Sequence, residues 1–440
     1  MRLHIGIDDT DSAKGGCTTY IAAVLVEKFS QMRTRFIDYP NIIRLNPNVP
    51  YKTRGNAAIA LRLEISGSEY DTIRETTIRT VEEYSRMGEE ATDPAVVFLQ
   101  GKVPSAVRRL SRRALTEMVS VHDAIVTLRN SCGSAAAYGS GLGIVGSLAA
   151  VGNTLMGDHT YELIAYRRPQ NLGKPRRVEE HSVIRMDRLT SPNTFNNYDA
   201  MNKRVLIKPH GPDPVLIGIR GETPRAVYRA FRLLRFREQI ERWVIFRTNH
   251  GTDAHFKNGA LRALKANSPV VLKGVVHGMP IRIPGGHVFC ELRTSRGTVR
   301  CAAFEPTGRF KEVVARLIPG DRVIAFGGVK DHRRWPLTVN LEKLIIEGLS
   351  EDTVAENPKC PRCDKRMKSA GRGQGFTCPR CNYASSTISK RFVSRERNLL
   401  TGLYIPDKKA HRHLTKPLSR YGLEKRRWDG KTPTGTWHTP

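Results

Sequence analysis

No apolar run in this chain reaches the ~18 residues that a membrane-spanning helix needs. The N-terminus opens straight onto a strand-like segment, without a signal-peptide pattern. The expectation is an intracellular, cytoplasmic protein with no membrane partner. Acidic side chains are scarce: 42 Asp and Glu stand against 72 Lys and Arg, a formal net charge of +30. That imbalance points to a polyanionic partner, nucleic acid ahead of an anionic membrane surface. An Arg-rich, thermophile-like surface is the bland alternative. There is no internal repeat and no low-complexity tract. Cysteine is sparse outside one cluster: of eight, Cys17, Cys132, Cys290 and Cys301 are scattered. A secreted disulfide framework is therefore excluded.

What is present is enough for several folded units. The 440 residues exceed a single core, so three or four domains are expected, and 39% hydrophobic residues suffice to fold them. Residues 1–120 alternate strand and helix signals: LHIGI, then the one-sided helix TTYIAAVLVEKF, the strand NAAIALRLEI, the helix SEYDTIRETTIRTVEEYSRM, the strand AVVFLQ and the basic helix PSAVRRLSRRALTEMVS. This is an α/β domain. Residues 121–255 repeat the α/β pattern. A Gly/Ala-rich segment leads to YELIAYR, and after a polar stretch come VLIGIRG, TPRAVYRAFRLLRF and WVIFRTN. That order fits a ferredoxin-like sheet. Residues 268–347 read as five short strands with a helix, GRFKEVVARLI, between the third and fourth, the order of an OB-fold. Residues 358–385 hold the cysteine cluster. Residues 388–440 form a basic tail, with 13 Lys and Arg against 4 Asp and Glu. The fold class is thus multidomain, α/β and α+β, with a barrel and a metal module.

The most specific motif is CPRC…CPRC, at Cys360, Cys363, Cys378 and Cys381. Two C-x2-C turns aim four thiolates at one point, the ligand set of a structural Zn2+ with no open position. Free thiols in loops are the alternative. Arg362, Lys365, Arg366, Lys368, Arg372 and Arg380 surround the motif, as a polyanion-facing module would have them. The OB-like strands offer Phe289, Phe304, Phe326 and Trp335 beside Arg282, Arg293, Arg300 and Arg333 for single-stranded nucleic acid. Most of those phenylalanines read as core, and Trp335 as the exposed aromatic. Arg293, Arg333, Trp335, Lys365 and Arg380 are the candidate RNA contacts.

Three polar runs carry the candidate chemistry. In LHIGIDDTDSAKGGCTT, residues 3–19, Asp8, Asp9 and Asp11 sit at the end of a strand, where α/β sheets place functional groups. Carboxylates so close repel one another, and a Mg2+ ion accompanying nucleotide phosphates would relieve the repulsion. Lys14, Gly15 and Gly16 form a turn onto a helix starting near Thr18, a phosphate-type geometry. The G-x4-G-K-[ST] pattern is absent, so it is no Walker loop. Aspartates acting as caps are the alternative. In RLNPNVPYKTRGN, residues 44–56, Lys52, Arg54 and Asn56 lie on a Pro- and Gly-rich loop that could close over a triphosphate, or be a solvated surface loop. In FRTNHGTDAH, residues 246–255, Asn249, His250, Asp253 and His255 end a strand, with turn and cap roles ahead of metal binding.

IGIDDTDSAKGGCTTY, RLNPNVPYKTRGNAA, FRTNHGTDAH, an OB-fold and a four-cysteine ribbon occur in this order along the whole chain. The combination resembles the archaeal 2-agmatinylcytidine synthetases of isoleucine tRNA, also called agmatidine synthetases. The resemblance implies a kinase-like N-terminal domain and a definite reaction. ATP phosphorylates the C2 carbonyl oxygen of cytidine 34, the wobble base of the isoleucine tRNA with a CAU anticodon. Agmatine displaces that phosphate, and ATP ends as AMP and two phosphates. The product, agmatidine, pairs with A. The resemblance also implies that Thr18 is phosphorylated, that Asp8, Asp9 and Asp11 hold Mg2+, and that Lys14, Gly15, Gly16, Lys52, Arg54 and Asn56 bind ATP. The OB, zinc and tail modules would grip the tRNA. No agmatine pocket is legible, beyond the expectation of a carboxylate on the ferredoxin-like half. The rivals are a non-catalytic single-strand binder, which leaves the first 255 residues without a role, and another ATP-dependent RNA-modifying or RNA-repair enzyme.

Overall fold

The computed structural model describes residues 1–440 except 51, 53–54, 91, 257–263, 333–334 and 440, and leaves the side chains of 332, 335 and 336 undescribed. Arg54 and Arg333 therefore lie outside the described residues, as does the side chain of Trp335.

The first strand, Arg2–Asp8, shows why the N-terminal part is layered. Leu3, Ile5 and Ile7 are fully buried on one face and pack with Ile21, Leu25 and Phe29 of the helix Thr18–Gln31. The opposite face carries His4, Gly6 and Asp8, since side chains alternate along a strand. Against that face lies the helix Gly143–Gly152, whose sequence GIVGSLAAVG is almost entirely small or aliphatic. The approach is so close that a Cβ on Gly6 would sit 2.1 Å from the Ser147 carbonyl oxygen. Helices thus cover both sides of a sheet.

That sheet has ten strands and runs through both α/β parts. Its order is Ser134–Ala137, Ala95–Gln100, Arg2–Asp8, Ala57–Glu64, Asn41–Arg44, Ile240–Thr248, Thr160–Arg167, Val215–Gly221 and Thr194–Phe195, with Arg35–Phe36 beside Ala57–Glu64. The seam between the parts is the parallel pair Asn41–Arg44 and Ile240–Thr248, in register Arg247 to Asn41. An ionic knot fastens it. The fully buried Arg247 donates to both Asp38 carboxylate oxygens and to the Leu155 carbonyl, and Trp428 covers its guanidinium at 4.0 Å. The helix Val121–Arg129 packs Ala124 and Leu128 into the same cluster as Val97 and Leu148. The polar stretch before Val215 contains a helix, Glu180–Thr190, whose buried Val183 and Met186 join the main core.

Residues 269–348 close into the expected barrel. Strands Pro269–Val276, Val288–Thr294, Gly297–Ala303, Arg322–His332 and Trp335–Gly348 surround a core of Leu272, Val288, Val323 and Leu344. The helix Arg309–Ala315 stands between the third and fourth of them. A two-stranded link, Asp352–Glu356 with Arg391–Arg395, connects the barrel to the cysteine module.

The C-terminal segment is stitched back into the molecule. Gly402–Tyr404 adds a strand to the barrel beside Leu344–Ile346. Leu414 is 1% exposed, and Trp437 packs edge-on against Phe36 and Tyr39 in the N-terminal core. Arg420 is fully buried, donating to Asp158, Glu222 and the Gly251 carbonyl.

Candidate active site

The end of the first strand opens into a cavity of about 560 Å3. Asp8, Asp9, Asp11, Thr18, Lys52 and Asn56 all line it, so the structure brings two of the three polar runs together there. His250 of the third run lines it as well.

The aspartates are held in a charge-poor setting. Burial, with Asp9 and Asp11 next to it, pushes the Asp8 carboxyl well above the usual range. Asp9 is raised to about 6, by burial first and then by the Asp93 and Asp11 charges. It adopts φ 58° and accepts a 3.1 Å bond from the Asp93 amide. Gly146 makes room for this arrangement, since a Cβ there would lie 1.6 Å from Asp8 Oδ2. Among the described residues the ligand atoms of the three aspartates do not gather as the cysteine sulfurs do. A Mg2+ ion needs only one or two of them, with phosphate oxygens and waters filling its shell. Carboxylates whose ionised form is this disfavoured fit a cation.

Thr18 begins its helix at the cavity wall. Its hydroxyl accepts a 3.0 Å bond from Thr10 and keeps its own proton to donate. Cys17 precedes it, and burial raises its thiol to about 11, so it stays protonated. The Gly15–Gly16 turn is real, and Gly16 at φ 82° has a backbone that a side chain would strain. Its surroundings differ from the cavity, however. Gly15 and Gly16 face Arg86, and Lys14 pairs with Glu89 at 2.8 Å in solvent. None of Lys14, Gly15 and Gly16 is among the lining residues. Asn56 donates through Nδ2 to the Asn46 carbonyl at 2.7 Å, closing the 46–56 loop, and lines the cavity from there. The Lys52 ammonium, on an exposed residue but half withdrawn from water at its head, donates to the Pro47 carbonyl. It is lowered to about 8 by partial burial, then by Arg412 and Lys330.

The far wall was not legible beforehand. Glu162, fully buried, lies 2.9 Å from Arg220, 3.6 Å from His250 Nδ1 and 3.8 Å from Arg44. Against burial, which raises it, Arg220 with His250 and Arg44 holds Glu162 well below the usual range. His250 is driven to about 4 by burial and by Arg220, so it is a neutral imidazole. The His413 ring stands edge-on to His250 at 5.1 Å. One signal did exist: YELIAYR puts a carboxylate, Glu162, in an otherwise apolar strand. His413 and Arg412 had none, lying in a tail that reads only as basic.

The 246–255 run proves to be a junction. The Asn249 amide brackets Arg44, accepting from its N–H at 2.8 Å and donating to its carbonyl at 2.9 Å. Gly251 N donates to His413 O and Asp253 N to Leu414 O, both at 2.8 Å. Asp253 also pairs with Lys343, and His255 with Glu342, on the barrel. This loop joins both α/β parts, the barrel and the tail beside the cavity. Among the described residues it does not form a metal-binding group.

Among the described residues the one such group is the cysteine set. Cys360 to Cys381, Cys363 to Cys378 and Cys363 to Cys381 are 3.5, 3.4 and 3.6 Å apart, sulfur to sulfur. A tetrahedron of ~2.3 Å Zn–S bonds has edges of about 3.8 Å, so the four thiols fit Zn2+. Around them only Met367 and Phe376 complete the buried cluster. Cys378→Ser is therefore expected to lose the metal and unfold the ribbon alone, as seen by metal analysis and by proteolysis confined to 357–390. A variant that keeps one zinc per chain would overturn this. Lys365, Arg380 and, on the barrel, Arg293 are exposed, away from the cavity lining. Among the described residues no helix is long and apolar enough to cross a membrane.

Comparison with known proteins places this architecture. Family models match in sequence: the TiaS TCKD domain over residues 4–139, the TiaS FLD domain over 141–255, the OB-fold nucleic acid binding domain over 270–347 and the TiaS C-terminal zinc ribbon domain over 357–399. The isoleucine-tRNA 2-agmatinylcytidine synthetase TiaS of Pyrococcus horikoshii is 40% identical over 418 residues, covering 95% of this chain and 97% of its own. That of Archaeoglobus fulgidus is 40% identical over 97% and 99%. Among solved structures, a complex of TiaS with isoleucine tRNA and ATP superposes with a TM-score of 0.88 at 37% identity, covering 98% of this chain and 99% of the other. A complex of TiaS with isoleucine tRNA, AMPCPP and agmatine superposes at 0.85 and 36%, covering 96% and 97%. The chain belongs to the isoleucine-tRNA 2-agmatinylcytidine synthetase family, TiaS.

Proposed function

We propose that this chain joins agmatine to C2 of the wobble cytidine of the isoleucine tRNA with a CAU anticodon, at the expense of ATP, in the cytoplasm. The observation that carries the reading is one cavity lined both by the strand-end aspartates and by the buried Glu162, His250 and Arg220. A nucleotide site and a base site in one chamber are what the reaction needs. The C2 carbonyl oxygen takes a phosphoryl group from ATP and becomes a leaving group. The primary amine of agmatine then forms the C2–N bond and loses a proton as the C2–O bond breaks and phosphate departs; the second phosphoryl group is lost to water, so that ATP ends as AMP and two phosphates. Most of the catalysis is positioning and charge control.

In this reading Asp8, Asp9 and Asp11 include the ligands of a Mg2+ ion, which when bound neutralises nucleotide phosphates. Lys52, with Arg54 of the same loop, binds those phosphates. Thr18, at a helix start where the dipole favours negative charge, accepts a phosphate of its own. The neutral His250 and the ionised Glu162, whose charge Arg220 and Arg44 offset, give the base a wall of fixed polar groups. The base reaches the cavity by leaving the anticodon stack.

The test is to incubate purified protein with the tRNA transcript, ATP and agmatine, and to digest the RNA to nucleosides. The expected result is one cytidine converted to its agmatine adduct, with release of AMP. Binding without AMP release would leave a single-strand binder. AMP release without the adduct would make the chain a different RNA-modifying enzyme.

A further inference from the structure

Two cations from distant parts of the chain, and a third from the 44–56 loop itself, converge on two consecutive residues of that loop. Lys330 Nζ, on the barrel strand Arg322–His332, donates to the Asn48 carbonyl at 3.0 Å. Arg412 Nη1, from the C-terminal segment, donates to Asn48 Oδ1 at 2.7 Å. Lys52 donates to the Pro47 carbonyl beside them. Asn48 is fully buried and fixed in turn, its N–H bound to Asn46 Oδ1 at 3.0 Å. Gly328 of the same barrel strand makes room for it, since a Cβ there would lie 2.0 Å from Asn48 Oδ1.

Carbonyl and amide oxygens orient these heads without cancelling their charge. Among the described residues the carboxylate set against them is Glu342, 3.0 Å from Arg412 and already shared with His255 at 3.2 Å. Like charge so concentrated is unfavourable until an anion enters. The ordinary protonation of both lysines is correspondingly disfavoured, by burial first and then by Arg412.

Position identifies the anion. Lys52 and Arg412 line the cavity, whereas Lys330 does not, so the trio marks its rim. A base held inside a cavity leaves its own sugar–phosphate links at the mouth. Two of the three cations, moreover, belong to the barrel and the C-terminal segment rather than to the strand end that carries the aspartates. We propose that Lys330 and Arg412 form a rim site for a backbone phosphate of the RNA strand next to the base in the cavity, Lys52 beside them being left to the nucleotide. The proposal rests on the tRNA-modifying reading above.

The test uses full-length Lys330→Gln and Arg412→Gln chains, with tRNA binding measured from about 50 to 200 mM salt. Each variant is expected to weaken binding several-fold at low salt. Each should also reduce the slope of log K against log salt by about 0.7–0.9, the loss of one phosphate contact. Lys330→Arg should restore the slope, and the Kd for ATP should not change. Slopes unaltered in both variants would overturn the site. So would a loss of ATP affinity with tRNA slopes unaltered, which would give the trio to the nucleotide. Should Arg412→Gln loosen the C-terminal segment, Lys330→Gln decides, since it forfeits one bond to a backbone carbonyl. A wild-type chain that modifies tRNA while the variants keep its slope sinks the rim site alone. A wild-type chain that binds no tRNA sinks the parent reading with it.

Discussion

An Asp9→Asn chain is expected to bind tRNA almost as the wild type does and to form agmatidine at least about a thousandfold more slowly, on the order of 4 kcal/mol of transition-state stabilisation. The label from radioactive ATP should disappear from both cytidine and Thr18. The reasoning is electrostatic: the variant removes one charge from the wall that faces the nucleotide and leaves the proposed RNA contacts in place. A second consequence is measurable without turnover. Asp9 titrates near 6 in the folded chain against an ordinary 3.8. Between those values the folded state holds the extra proton, so stability falls as pH rises through that window. Asp8 is displaced in the same direction. Metal-free wild type should therefore be less stable at pH 7 than Asp9→Asn, on the order of 1 kcal/mol once partial solvent access is discounted. The difference should vanish below pH 4. Full activity in Asp9→Asn, or a pH-independent difference in melting, would reduce the aspartates to caps.

Arg420→Met should be the most destabilising single change outside the aliphatic core. The guanidinium is fully buried between Asp158 and Glu222 and also bonds the Gly251 carbonyl. Removing it strands two buried carboxylates, of which Glu222 keeps Lys425 at 2.7 Å. The cost of breaking a buried pair this way is about 3–5 kcal/mol. The C-terminal segment should then detach, withdrawing Arg412 and His413 from the cavity. Denaturant unfolding, with limited proteolysis after residue 404, reads both effects. A variant as stable and as protease-resistant as the wild type would show that the segment is held by its apolar contacts alone. Deleting 388–440 answers a different question. It removes Leu414, Trp437 and part of the cavity wall, so weaker tRNA binding after deletion would not isolate a phosphate-contacting role.

Local patterning made most regular elements legible. AVVFLQ and VLIGIRG are strands over their full quoted lengths, because uninterrupted apolar runs bounded by turns admit little else. The barrel order and the cysteine module could be read because their spacing is itself the structure. The helix Glu180–Thr190 was hidden in a polar stretch, since only Ser182, Val183, Met186 and Thr190 are buried along it. The part of the cavity lining near the strand end was readable because clustered aspartates are anomalous wherever they occur. The rest was not. His250 meets His413 across 163 residues of chain, and Arg44 meets Asn249 across 205, pairings fixed by tertiary packing alone. Lys14 illustrates the converse: a lysine beside two glycines has the look of a phosphate ligand, while the fold turns it toward Glu89.

The return of the C-terminal segment also sets a clock. Asp8 and Asp9 leave a ribosome roughly four hundred residues ahead of Arg412, His413 and Arg420, some 20–80 seconds at about 5–20 residues per second. Until that segment docks the cavity lacks a wall, and Glu222, once made, lacks its buried counter-charge. A nascent chain can fold its sheet and barrel in order, yet it stays unfit to handle a tRNA until that segment has emerged and docked.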